Sequence, residues 1–181
     1  MARVMHMRGF QEEDVMPEKD VIERAQKDAR EGKSPSTQAG EFVHEEMEHI
    51  REGKHGARST KQAIAIGLSK ARRAGVKLPP PGAGSSRQTR RKAAQDTERG
   101  RRHLKGRVSR KRSRATTRAL RREGRSAASR RSLAKQATSA ARKRGAAARS
   151  EAAREAVRTK GPRRRSLAAK KAARTRARRA R

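Results

Sequence analysis

Ser59-Thr60-Lys61-Gln62-Ala63-Ile64-Ala65-Ile66-Gly67-Leu68-Ser69-Lys70-Ala71-Arg72-Arg73-Ala74-Gly75-Val76-Lys77-Leu78-Pro79 carries a helix start, a buried face and a helix stop in one run. Ser59-Thr60-Lys61-Gln62 has the form of a capping box, in which a hydroxyl accepts an orphan backbone N–H at the helix start. Ile64, Leu68 and Ala71 recur at helical spacing and line one face. Gly75 stands where helices end in left-handed backbone, and Val76 is placed to pack back on Ala71 in a Schellman arrangement. Pro79-Pro80-Pro81 prevents continuation. Such a helix has one apolar stripe to bury and needs partners to bury it against.

Two partners precede it. Pro17 suits a first helical position, and Glu18 and Asp20 favour the positive end of the helix dipole. Ile22, Ala25 and Ala29, with Val21 alongside, form the stripe, and Gly32 ends the helix. In the next helix Ser34 caps, Pro35 takes the first position, and Ala39, Phe42, Val43, Met47 and Ile50 face inward before Gly53. Arg30-Glu31-Gly32-Lys33 and Arg51-Glu52-Gly53-Lys54 form a weak repeat, each copy reading as a helix end followed by a turn and a new cap. Residues 1–16 read as a flexible extension, and organised sequence begins at Met16-Pro17, which makes Met16 an alternative start. The expected fold class is all-α: a small three-helix unit over 17–78, a Pro/Gly/Ser linker over 79–86, and a long Arg/Ala-rich tail over 87–181. The core of the three-helix unit is small, which leaves self-association through residues 17–78 open as a source of stability.

Charge divides the chain differently. The formal net charge is +34. Residues 1–81 hold 15 Lys/Arg against 13 Asp/Glu, a net of +2, whereas residues 82–181 hold 37 against 5, a net of +32. The large apolar residues of that second half are Leu104, Val108, Leu120, Leu133, Val157 and Leu167. Each contributes roughly 1.5–3 kcal/mol on burial, against roughly 1–2 kcal/mol of backbone entropy per ordered residue. The tail is therefore expected to be mostly disordered when free, with isolated helices. Repulsion between like charges at i,i+4 opposes helix there, and phosphate neutralisation would lift it. Helix is expected on binding over 114–123, 127–143 and 147–158. Arg130-Arg131-Ser132-Leu133-Ala134-Lys135 matches Arg164-Arg165-Ser166-Leu167-Ala168, an internal repeat within the tail.

A polycation of this kind needs a polyanion, and nucleic acid supplies one. The cations expected to contact phosphate begin around the third helix with Lys54, Arg58, Lys61, Lys70, Arg72, Arg73 and Lys77. A helix N-terminus with free N–H groups is itself a phosphate site. In the tail they are the clusters Arg90-Arg91-Lys92, Arg101-Arg102, Arg110-Lys111-Arg112, Arg121-Arg122, Arg130-Arg131 and Arg142-Lys143-Arg144. The C-terminal set is Arg163-Arg164-Arg165, Lys170-Lys171, Arg174, Arg176, Arg178 and Arg179. Trp and Tyr are absent, and the aromatic residues are Phe10 and Phe42, so there is no stacking platform for unpaired bases. That favours duplex DNA contacted through its backbone, largely without sequence preference. The expected function is histone-like DNA binding and compaction through phosphate neutralisation. The alternatives are an RNA-binding or ribosome-associated protein, and a protein-interaction module localised by its tail.

Other chemistry finds little support. Cys is absent, which removes disulfides, thiolate metal sites and a Cys nucleophile. His44-Glu45-Glu46-Met47-Glu48-His49 looks like a zincin helix, but that motif needs His at i and i+4. A spacing of five turns the second imidazole about 140° from the first. Glu41, Glu45, Glu46, Glu48 and Glu52 read as a solubilising acidic face, or as a surface that could hold the basic tail. No phosphate loop, nucleophile elbow or carboxylate pair suggests an enzyme. No metal, cofactor or small-molecule substrate is expected. No apolar h-region follows the basic start and no window reaches 18 uncharged apolar residues, so no membrane partner is expected. The corresponding location is cytoplasmic and nucleoid-associated.

Ser34-Pro35-Ser36-Thr37-Gln38-Ala39-Gly40-Glu41-Phe42-Val43, and above all the run from Ser59 to Pro79, resemble a bacterial family of small basic proteins known as a domain of unknown function. The resemblance covers about a third of the chain. It implies a bacterial source and supplies no activity or binding residues. The tail is similar in composition to those of linker histones and bacterial histone-like proteins, with Arg favoured over Lys.

Overall fold

A computed structural model describes residues 18–82, 84–102 and 109–179, without the side chains of Arg110, Ala156, Thr159, Lys160 and Arg179. The extension expected over residues 1–16, and Pro17, lie outside the described residues. The regular elements described are all helices: α1 Lys19–Arg30, α2 Pro35–Glu52, α3 Thr60–Arg73, α4 Arg87–Arg101, α5 Arg110–Arg121, a 3-10 turn Ser126–Ala128, α6 Arg130–Lys143 and α7 Gly145–Arg179. The chain forms two compact units, one ending at Leu133 and the other Ala134–Arg181.

In the first unit the helix ends follow from the caps. Ser34 Oγ accepts the Thr37 N–H at 3.4 Å, and Ser59 Oγ accepts that of Gln62 at 3.2 Å. Gln62 Oε1 reaches one residue further than the box requires and takes the Arg58 N–H at 2.9 Å. The Val76 N–H donates to the Ala71 carbonyl at 3.1 Å over Gly75, whose φ is 94°. The weak repeat proves to be one helix stop used twice. Gly32 and Gly53 sit at φ 70° and 82°, and the following Lys33 and Lys54 N–H groups return to Asp28 O and His49 O at 2.9 and 3.0 Å.

α1 packs on α2 and α2 on α3 around Val21, Ala25, Ala39, Phe42, Ala71 and Val76. α2 and α3 cross closely at Gly67, where a Cβ would lie 2.7 Å from Val43 Cα. A second cluster joins Met47, Ile50, Ala57 and Ala63 to Ala127 and Ala128, with Leu133 packed against it.

That second cluster, and α4, correct the expectation of a three-helix unit followed by a disordered tail. α4 packs on α3 and buries Ala93, Asp96 and Gly100. Asp96 is 2% exposed and accepts the Ser69 hydroxyl at 2.5 Å. Gly100 lies so near the end of α3 that a Cβ would stand 2.1 Å from Arg72 O. From the end of α5 the chain lies against the turn between α2 and α3. The Gly56 N–H donates to Leu120 O at 3.0 Å and the Ala57 N–H to Gly124 O at 3.2 Å. Thr60 Oγ1 donates to Ala127 O at 2.7 Å, and Arg51 Nε donates to Ala128 O at 3.1 Å. Counting large apolar side chains missed these contacts because they are made by Ala, Gly and backbone groups. Small residues let backbones approach until hydrogen bonds and close packing hold them.

The described part of the second unit, 134–179, is also helical, again contrary to the expected disorder. Ala and Arg are strong helix formers, and outward-pointing guanidinium groups are screened by solvent. α7 is kinked at Gly161, whose φ of 63° and ψ of 167° precede Pro162. Val157 and Leu167 are 45% and 60% exposed.

Candidate nucleic-acid interface

The first unit sorts its cations into buried and exposed sets. Lys70 is 2% exposed, and its ammonium lies 3.2 Å from Glu45 Oε2 and 3.1 Å from Glu46 Oε2. Glu45 also accepts the Glu18 backbone N–H at 2.7 Å, so one carboxylate caps α1 and pairs with α3 from its place on α2. Arg72 is buried and donates to Pro79 O at 3.2 Å, while the half-buried Arg73 donates to Ser69 O at 3.3 Å. Lys70 and Arg72 are thus internal struts rather than phosphate contacts. The acidic face read from α2 is split in the same way. Glu41 pairs with Arg24 at 2.8 Å, Glu48 with His44 at 3.5 Å and Glu52 with Lys54 at 3.3 Å, whereas Glu45 and Glu46 are interior.

The N-terminus of α3 is not an open phosphate site. Ser59 and Gln62 cap it, and Thr60 is buried against Ala127. Lys54 is exposed and engaged by Glu18 at 3.4 Å as well as by Glu52. Arg58, Lys61 and Lys77 stand exposed around the helix.

From α4 onward the cations turn outward. Arg90, Arg91 and Lys92 are exposed on α4, with Lys92 3.8 Å from the buried Asp96. Arg101 and Arg102 are exposed and both donate to Glu98. These hydrogen bonds, with Arg101 foremost, hold the Glu98 carboxyl below the ordinary glutamate value of 4.5. Lys111, Arg112, Arg121 and Arg122 are exposed on and just after α5. Arg130 and Arg131 open α6, and Arg142, Lys143 and Arg144 close it, all of them exposed. Along α7 the expected contacts Arg163, Arg164, Arg165, Lys170, Lys171, Arg174, Arg176 and Arg178 are all exposed. The side chains of Arg110 and Arg179 lie outside the described residues.

One concave place brings such cations together. Arg51, Arg125 and Arg130 line an open groove of about 440 Å³ with Ala128 and Ser129. Ser129 Oγ accepts the Ser132 N–H at 3.2 Å and so caps α6 at the edge of the groove. Three arginine side chains thus gather beside a capped helix N-terminus, with Arg51 donating to Ala128 O and Arg125 to Arg51 O. Arg51 and Arg125 carried no such sign in the sequence. Arg51 belongs to a helix-stop repeat, and Arg125 is separated from it by 74 positions.

Residues 30–81 match a family of unknown function, DUF6496. The match takes in α2 and α3 and stops before α4. No curated protein and no solved structure gives a significant match. Among the described residues no helix is long and apolar enough to cross a membrane.

Proposed function

We propose that this protein is a histone-like, largely sequence-nonspecific DNA-binding protein that compacts duplex DNA by neutralising phosphate charge. A single observation carries the reading: from α4 onward the interior is taken by Ala, Gly and Asp96 while Arg and Lys face solvent on helices. Rigid helices present guanidinium groups at fixed spacing and lose less entropy on binding than a disordered chain does. The groove of Arg51, Arg125 and Arg130 offers one phosphate a seat, and the exposed cations of α4 to α7 take the rest. The fully buried Phe42 supports backbone contact over base stacking, since its ring cannot reach a nucleotide. The bacterial source implied by the resemblance, and the nucleoid location that goes with DNA binding, belong to the same proposal.

Salt dependence of binding to a fluorescent duplex tests it. With about ten phosphates engaged, log K should fall with log salt at a slope of about −9. Ending the chain at Arg144 removes 14 of the 37 Lys/Arg that follow residue 81. If contacts are shared evenly, the slope should fall to about −6. A slope near zero for the full chain refutes the proposal. Displacement of the duplex by structured RNA at a much lower phosphate concentration transfers the reading to RNA.

A further inference from the structure

We propose that Glu46, His49 and His55 form a binding site for a transition-metal dication of the zinc class, inside the first unit. Their ligand atoms lie within 4.8 Å of one another. Glu46 and His49 share a face of α2 at i,i+3, and His55 comes from the turn that follows.

The site carries an electrostatic conflict wherever the His55 ring is neutral, the form that binds a metal ion. His55 Nδ1 lies 3.1 Å from Gly56 O. A carbonyl oxygen only accepts, so Nδ1 donates there, and a neutral ring would keep its lone pair on Nε2. That Nε2 faces Glu46 Oε1 at 3.4 Å. In that neutral form two lone pairs meet in the interior, where Glu46 is fully buried and neither of its carboxylate oxygens accepts a hydrogen bond. Lys70 lies near Oε2 and leaves the Oε1 side unanswered.

A metal ion resolves the conflict, and the spacing fits one. Zinc bonds of about 2.0–2.2 Å at tetrahedral angles place neighbouring donor atoms about 3.3–3.5 Å apart. That is the separation of His55 Nε2 from Glu46 Oε1. His49 is 5% exposed, and its Nε2 lies 3.1 Å from Glu18 Oε1, which leaves Nδ1 as its metal-binding nitrogen. Both imidazoles thus have an outer partner that fixes the tautomer, Gly56 O for one and Glu18 for the other. The rings meet at 86° with centroids 6.2 Å apart, as two ligands converging on one ion can. Two nitrogens and one carboxylate select zinc or a similar first-row metal over magnesium or calcium. Glu45, Glu46 and Lys70 together carry one net negative charge, so the interior does not repel a dication. A bound ion would fasten the turn at Gly56 and Ala57, on which residues 120–124 hang.

The full chain, stripped with a chelator, is titrated with zinc chloride and separately with cobalt chloride. One zinc ion per chain should bind and raise the melting temperature. Cobalt should give the intense visible bands of tetrahedral coordination and shift the ring protons of His49 and His55. His49→Gln and His55→Gln should each weaken zinc binding by at least about tenfold, and His44→Gln, at an exposed site, should leave it unchanged. If a variant loses its helical signal, the paramagnetic shifts in cobalt-loaded wild type decide alone. The proposal is overturned by zinc binding that survives both substitutions, by equal stabilisation from magnesium, or by the absence of those shifts.

Discussion

Lys70→Met should destabilise the first unit far more than the loss of any outward-facing arginine. Lys70 is 2% exposed and is held between Glu45 Oε2 and Glu46 Oε2 at 3.2 and 3.1 Å. Methionine fills similar volume, so little of the cost comes from a cavity. The cost arises from two carboxylates left in the interior with their cation removed, about 3–5 kcal/mol for a broken buried pair. Glu45 also caps α1, so disturbance at Lys70 reaches all three helices that meet there. For a unit of this size the change should lower the melting temperature by about 10–20 °C. Urea denaturation followed by circular dichroism reads it directly, with Lys61→Met as the exposed comparison, expected within about 0.5 kcal/mol of wild type. At temperatures where Lys70→Met is folded, its affinity for duplex DNA should equal wild type. A loss below about 1 kcal/mol, or a loss of DNA affinity in the folded variant, refutes the placement of Lys70 as an internal strut.

Gly100→Ala should loosen α4 from α3, because the new methyl meets Arg72 O at 2.1 Å and that atom is backbone. The expected cost is about 1–3 kcal/mol, and amide exchange in α4 should rise; unchanged protection there contradicts the close approach. Glu98→Gln should release Arg101 and Arg102 and strengthen DNA binding by about twofold to fivefold at low salt, measured by fluorescence anisotropy. The carboxyl is held below 4.5, so wild type keeps its anion at neutral pH and loses it as pH falls through that lowered value. The gap between variant and wild type should therefore close in acid; a gap that persists there assigns the effect to something other than charge.

The helix ends were legible because each rests on local chemistry. Ser34, Ser59, Gly32, Gly53 and Gly75 announce themselves by residue type, and the backbone they cap or terminate is their own. The inward stripe of Val21, Ala25, Phe42 and Ala71 was legible from its period. What lay hidden depended on partners distant in the chain. Glu45, Glu46 and Lys70 read as a wet surface, because charge signals solvent unless its counter-charge is known to arrive from another helix. Asp96 is one of only five acidic residues after residue 81, and its burial against Ser69 gives that scarcity a structural meaning. Ala127 and Ala128 carry no hydrophobic signal above that of their neighbours, yet they complete a core cluster. His49 and His55 belong to no spaced motif, since one lies on a helix and the other on the turn beyond its stop.

The residues that seal the second cluster arrive late in synthesis. Thr60 waits 67 positions for Ala127, and Arg51 waits 77 for Ala128. Long separations of this kind slow folding, because loop entropy is lost before the contacts that offset it can form. A ribosome must therefore extrude the whole basic stretch through α5 before Met47 and Ile50 receive their last cover. During that interval a growing polycation sits unfinished beside ribosomal RNA, so, on the proposed function, newly made protein meets a competing polyanion before its architecture is closed.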